Sequence, residues 1–149
     1  MPVITTDTLI EGIRRDDVLN WLANPEVHGR FLAAGFDQVE NQGNGKYLLT
    51  LKAGPRPIQM VYQFVRADDA HGGRRILCTT SGKRTEGKLH YSLRTMKPAK
   101  NTMVTLHQDY KAGRLLGPLL DAAGTGKALE AAWVKTLAGL RDEIAKDKS

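Results

Sequence analysis

Five polar side chains crowd one part of the sequence: His90, Ser92, Arg94, His107 and Asp109. A histidine opposite an aspartate is oriented and made more basic, and a nearby serine then has the base that a nucleophile needs. The same imidazoles and carboxylate are metal-ligand types. Which way they face decides between chemistry and solvent. Pro98-Ala99-Lys100 reads as a turn, and setting Lys97 opposite Thr102 pairs the flanking strands by counting. His90 then faces Asp109, Ser92 faces His107 and Arg94 faces Thr105, while Leu93 with Leu106, Leu89 with Tyr110, and Tyr91 share the other side. The polar set therefore projects onto a solvated sheet surface, and no catalytic residue, metal ligand or cofactor is assigned.

Three tyrosines carry a different kind of chemistry. Tyr62, Tyr91 and Tyr110 alternate with the apolar side of their strands. A buried hydroxyl left unpaired costs about 1 to 3 kcal/mol, so each needs a partner: another tyrosine, Thr79, water, or the polar end of a ligand. Cys78 reads as a small buried hydrophobe in a strand. His28 and His71 fall at a helix end and a turn and support no further role. Gly124-Thr125-Gly126-Lys127 lacks the glycine five positions earlier, the following hydroxyl and the preceding strand of a phosphate loop.

These groups must be held by something, and the run Leu115 to Lys146 is long enough to do so. Leu115, Leu119, Ala122, Gly126, Leu129, Trp133, Leu137, Leu140 and Ile144 recur at helical spacing, with Lys127, Glu130, Lys135, Arg141, Asp142 and Lys146 mostly turned away. Upstream, Val3 to Ile13 reads as a strand. Asp16 and Asp17 open a helix that Asn24-Pro25 stops, and a second helical piece, Glu26 to Ala34, follows. Strands are expected over Phe36 to Glu40, Lys46 to Ala53, Ile58 to Ala67, Arg74 to Ser81 and Gly87 to Met96, with a last strand after Lys100; Asn41 to Gly45 forms a hairpin turn.

If the apolar side of that sheet faces the helix, Met60, Tyr62, Phe64, Leu77, Thr79, Leu89, Tyr91, Leu93, Leu106 and Tyr110 line the gap from below. Leu115, Leu119, Leu129 and Trp133 cover it, and the helix narrows at Ala122 and Gly126, where either a pocket or a break in the helix is expected.

With 149 residues, the chain fits one domain over 1–149. The net charge of +6 is concentrated in residues 66–114, which hold 11 basic and 4 acidic side chains. Arg74, Arg75, Lys83, Arg84, Lys97 and Lys100 flank turns, where basic residues keep sheet edges soluble. The aromatics of that segment alternate inward, which argues against stacking on nucleic acid. No run reaches the roughly 20 apolar residues of a membrane span, and one cysteine excludes an intrachain disulfide; a cytoplasmic protein is expected, with a homodimer left open.

The stretch Ile13 to Glu26, in which a strand ends, a short helix begins with two aspartates and a valine, and Asn24-Pro25 closes it, resembles the opening of the START-like (SRPBCC) helix-grip superfamily. That superfamily includes polyketide cyclase/dehydrase-like and birch-pollen-allergen-like proteins. Phe31 sits near the family's following aromatic, and Trp133 to Ile144 is similar to its last helix. Arg14 stands where proline is common and Asn24 where aspartate is usual. The resemblance implies an α+β fold: a curved seven-stranded antiparallel sheet wrapped around a long C-terminal helix, with two short helices after the first strand. It also implies a cavity that takes an apolar or amphipathic small molecule, lipid- or polyketide-like, as carrier or sensor. Two alternatives are a cyclase or dehydratase using a tyrosine as proton donor, and a basic surface for an anionic partner.

Overall fold

The computed structural model describes residues 3–24, 26–52, 57–70, 73–82, 85–97, 100–111 and 118–148, and only the backbone at 69–70, 73, 111, 118–125 and 148. Seven strands form one antiparallel, curved sheet: β1 (Val3–Ile10), β2 (Gln38–Gly43), β3 (Lys46–Leu51), β4 (Ile58–Ala70), β5 (Gly73–Ser81), β6 (Glu86–Met96) and β7 (Asn101–Lys111), in spatial order β1-β7-β6-β5-β4-β3-β2. Helix α1 (Arg15–Ala23) and a 3-10 helix (Arg30–Ala34) follow β1, and α2 (Pro118–Lys148) ends the chain.

Local chemistry accounts for the boundaries. Arg14 caps α1 with no side-chain bond, the negative charge of Asp16 and Asp17 in the first turn favours the helix start, and Val18, Trp21 and Leu22 go inward. The β2–β3 turn holds Asn44 at φ 55° between two glycines of positive φ, the left-handed backbone that asparagine and glycine tolerate. Glu26 to Gly29 form turns rather than helix, so the second helical piece begins at Arg30, later than expected.

The long helix buries Leu129, Trp133, Leu137, Leu140 and Ile144 on one side and exposes Lys127, Glu130, Lys135, Arg141, Asp142 and Lys146. It runs unbroken through Gly124 and Gly126. Close backbone approach fixes it against the 3-10 helix: a Cβ on Gly35 would stand 2.0 Å from Thr136 Oγ1 and 2.2 Å from the Ala132 carbonyl. At the chain's far end Trp21 Nε1 donates to Asp147 Oδ2 at 2.7 Å, and Arg30 binds Glu143 and Asp147.

Two expectations are corrected here. β5 turns Ile76, Cys78 and Thr80 to the core, so Leu77 and Thr79 face the other way. Each set mixes apolar and hydroxyl residues, so alternation could not choose; pairing of Ile76 with Tyr91 and Cys78 with Leu89 does. A bulge between Phe64 and Arg66 also shifts the count along β4. In the final hairpin Met96 pairs with Asn101, two residues from the expected register. His90 therefore faces His107, Lys88 faces Asp109, Tyr91 faces Leu106, Leu89 faces Gln108 and Ser92 faces Thr105. A shift of two preserves which face each side chain takes.

Candidate functional site

The inward side of the sheet places Met60, Tyr62, Leu89, Tyr91, Leu93, Leu106 and Tyr110 in the core, and α2 adds Leu129 and Trp133. Phe64 and Gly126 are half-buried. Leu77 and Thr79 are not part of this surface, the side chain of Leu119 lies outside the described ones, and Leu115 outside the described residues.

Beneath the middle of α2 the gap is filled. The Trp133 ring lies 5.0 Å from Phe36 and 6.4 Å from Tyr62, centroid to centroid. Two hydrogen-bonded chains close this region, and each has its direction set by a carbonyl that can only accept. In the first, His28 Nδ1–H donates to the Leu22 carbonyl at 2.6 Å, so its Nε2 is bare and accepts from the Tyr62 hydroxyl at 2.8 Å. The Tyr62 oxygen in turn accepts from Tyr91 at 3.0 Å and from the Cys78 thiol at 3.2 Å. Tyr47 secures the same loop by donating to the His28 carbonyl. In the second, Trp133 Nε1 donates to Gln108 Oε1 at 2.8 Å, Gln108 Nε2 to Thr80 Oγ1 at 3.3 Å, and Thr80 to the Thr85 carbonyl at 2.7 Å.

Burial governs the titration of these groups. It holds His28 down at about 4, against the opposing pull of the Leu22 bond, and pushes the Cys78 thiol up to about 12. Tyr62 and Tyr91 are raised well above the usual phenol range, first by burial and then by Cys78. The first chain is thus neutral and saturated at physiological pH, with no thiolate to act as nucleophile.

His28 and Gln108 are the interior groups that sequence reasoning missed. Gln108 shares its strand face with Leu106 and Tyr110, which was the available signal. His28 sits in an irregular turn, where no periodicity reports direction.

The other end of the site differs. Tyr47, Tyr62, Thr80, Gly87 and Tyr110 form one row across the sheet. Tyr110 is 1% exposed, and among the described residues its hydroxyl has no hydrogen-bond partner. Its neighbour in the row, Gly87, has no side chain, because a Cβ there would fall 1.8 Å from the Asp109 carbonyl. Above it, a Cβ on Gly126 would stand 3.0 Å from the Tyr110 hydroxyl. At both positions glycine permits close packing: of the Asp109 and Tyr110 backbone on Gly87, and of the Tyr110 hydroxyl on α2. Burial raises its pKa, which keeps it protonated. A cleft of about 610 Å³, lined by Thr79, Thr80, Ser81, Glu86, Gly87, Lys88 and Asp109, adjoins the same end of the sheet.

On the outer face the His90 and His107 rings stack at 5.0 Å, and His107 lies 3.5 Å from Asp109. Burial lowers the pKa of His90, with His107 and Arg75 adding to it. Among the described residues no group of three or more His, Cys, Asp and Glu is placed to hold a metal ion. Arg75 is engaged by Asp68 and Arg74 by Asp16, whereas Lys83 and Arg84 lie outside the described residues. None of the described helices is long and apolar enough to cross a membrane.

No protein-family model matches the sequence, and no curated protein is similar to it. Solved structures are. The chain is similar to the ZhuI aromatase/cyclase of Streptomyces sp. R1128, with 15% identity and a TM-score of 0.71 over 99% of this chain and 96% of that one. TTHA0849 of Thermus thermophilus gives 13% and 0.68 over 99% and 100%. The KanY protein gives 13% and 0.66 over 97% of each. At such identities the likeness is one of fold. Superposable along nearly its whole length on an aromatase/cyclase, this grip of seven strands on one long helix is a polyketide cyclase-like helix-grip fold.

Proposed function

We propose that the chain binds a hydrophobic or amphipathic small molecule between the sheet and α2, as a carrier or sensor, and that the ligand enters at the Tyr110 end. The observation that carries this reading is the Tyr110 hydroxyl, which ends a buried side chain, has no hydrogen-bond partner among the described residues and stands close to Gly126. Apolar walls with one or two converging polar groups are the usual make-up of a small-molecule site. The ligand would touch Leu89, Leu106, Tyr110, Gly126 and Leu129, whereas Tyr62, Tyr91 and Trp133 close the far wall. The rival reading as a cyclase or dehydratase needs an acid–base group beside the ligand. His28 is the one buried imidazole among the described residues, and both its nitrogens are engaged by Leu22 and Tyr62. This favours binding without chemistry. We take residues 1–149 as one domain working in the cytoplasm, alone or as a homodimer.

Native mass spectrometry of the purified protein tests the reading. A co-purified small molecule is expected on the natural chain and absent from Gly126→Leu, whose side chain would press on the Tyr110 hydroxyl, only 3.0 Å from where a Cβ would stand. A bare natural chain that also gains no thermal stability from a panel of apolar compounds would refute it.

A further inference from the structure

We infer that the turn between α1 and the 3-10 helix is a flap, pinned shut by His28 while that imidazole is neutral and released when the imidazole takes a proton. The device stands whether or not a small molecule lies beneath α2.

Residues 26–29 form turns with a hinge at either end. Asn24 leaves α1 in an extended conformation, and Gly29 sits at φ 96°, in left-handed backbone that glycine adopts freely. Among the described residues of this stretch, Asn24 and Glu26 are exposed and Val27 is half-buried; His28 alone sends a side chain fully into the core. Three bonds hold it there: Nδ1–H donates to the Leu22 carbonyl of α1, Nε2 accepts from the Tyr62 hydroxyl of β4, and the His28 carbonyl accepts from the Tyr47 hydroxyl of β3. Phe31, Tyr47, Tyr62 and Phe64 pack the ring, their centroids 5.1 to 6.4 Å from it. Swinging it out uncovers Tyr62 and, 6.4 Å from that ring, Trp133 of α2. This opening lies at the other end of the cross-sheet row from Tyr110.

The groups that face the imidazole give a positive charge nothing to pair with. β3 presents Tyr47, β4 presents Tyr62 and Phe64, and the 3-10 helix presents Phe31; behind Tyr62 stand Cys78 of β5, Tyr91 of β6 and Trp133 of α2. Burial raises the pKa of Tyr47, Tyr62, Tyr91 and Cys78, so all four stay protonated and neutral in mild acid. On the flap's own segment Glu26 is exposed, and Arg30 is turned outward to Glu143 and Asp147. Arg30 also holds the Glu143 carboxyl below its ordinary value, so that ion pair survives the same mild acid. A buried imidazolium would add a second N–H aimed at Tyr62, whose oxygen already accepts from Tyr91 and Cys78. In water both nitrogens are solvated, so the proton favours the open turn. The neighbours stay seated, since α1 keeps Val18, Trp21 and Leu22 in the core and the 3-10 helix keeps Phe31 and Leu32.

Amide hydrogen exchange of the full chain, followed by NMR at about pH 7 and pH 5, tests this. The reporters are the His28 and Arg30 amides, which donate within the turn to the Asn24 and Val27 carbonyls. With the buried ring at about 4 and a solvated one at 6.5, their protection should fall about 20-fold between the two conditions, once the intrinsic effect of pH on exchange is removed. The Tyr91 and Leu93 amides of β6 should keep theirs. In His28→Gln, whose side chain takes up no proton, the turn should be equally protected at both pH values. Unchanged protection in the natural chain, an equal fall in His28→Gln, or a parallel fall at Tyr91 and Leu93 overturns the inference. If the variant does not fold, the natural chain's own contrast between turn and sheet decides.

Discussion

Mild acid should weaken this protein through one side chain, His28. In the native state burial holds its pKa at about 4, against 6.5 for an unperturbed histidine. Between those values the unfolded chain binds a proton that the folded chain refuses, so stability is fully present above pH 6.5 and falls as the pH drops toward 4. The slope is about 1.4 kcal/mol per pH unit, and the whole window is worth about 3 kcal/mol. That is a large fraction of the roughly 5 to 15 kcal/mol that holds a domain folded. The geometry supplies the reason. Protonating Nε2 would set two donors against each other unless Tyr62 reversed, and Tyr62 already accepts from Tyr91 and Cys78. Urea denaturation at steps from about pH 7.5 to pH 4.5, on the natural chain and on His28→Gln, isolates this contribution because every other titrating group is common to both. The variant should be the less stable at neutral pH, by about 1 to 3 kcal/mol for the disrupted chain, and the gap should close as the pH falls. Parallel curves would refute the argument, as would a His28 imidazole that titrates near 6.5 by NMR.

Other perturbations probe other parts of the structure. Tyr62→Phe strips the acceptor from Tyr91 and Cys78 and the donor from His28, and should cost about 3 kcal/mol in urea denaturation, more than a single hydrogen bond. Gly35→Ala should lower the melting temperature sharply, by an equivalent of about 3 kcal/mol, since the added carbon meets the Ala132 carbonyl of α2, which cannot give way. Cys78 should resist a thiol-specific disulfide reagent in the native protein and react at once in urea, because its thiol is buried and held up at about 12. A native chain labelled at the rate of a free thiol would contradict the buried first chain of hydrogen bonds.

The parts of the fold that announce themselves in the sequence are those with a long, unambiguous period. Leu129 to Ile144 keep helical spacing for four turns, and Asn44 with its glycines marks a turn that little else could make. The final hairpin kept its faces despite a two-residue error in register, because Leu89, Tyr91 and Leu93 alternate with polar residues. β5 had no such protection. Ile76-Leu77-Cys78-Thr79-Thr80 carries apolar and hydroxyl residues on both phases, so only its neighbours decide which phase is buried. Of the site, the need of Tyr62, Tyr91 and Tyr110 for partners was legible, and the bond between the first two was among the options. His28 was not legible, since its burial follows from how a turn folds back on Tyr62 and not from any pattern near it. Nor was Gln108, whose polar side chain on an otherwise apolar face is held by Trp133 from the far end of the chain.

The placement of β1 beside β7 has a consequence for how the chain is made. The sheet's central hairpins can assemble as they emerge from the ribosome, but Val3 to Ile10 must wait, unpaired, for Thr102 to Asp109 to be synthesised. Trp21 and Arg30 wait longer still, for Glu143 and Asp147. Such long-range closure is slow, and the nascent sheet meanwhile carries an open border to which other chains can stick. Synthesis at high level should therefore yield inclusion bodies unless translation is slowed or a chaperone shields the waiting N-terminal ribbon.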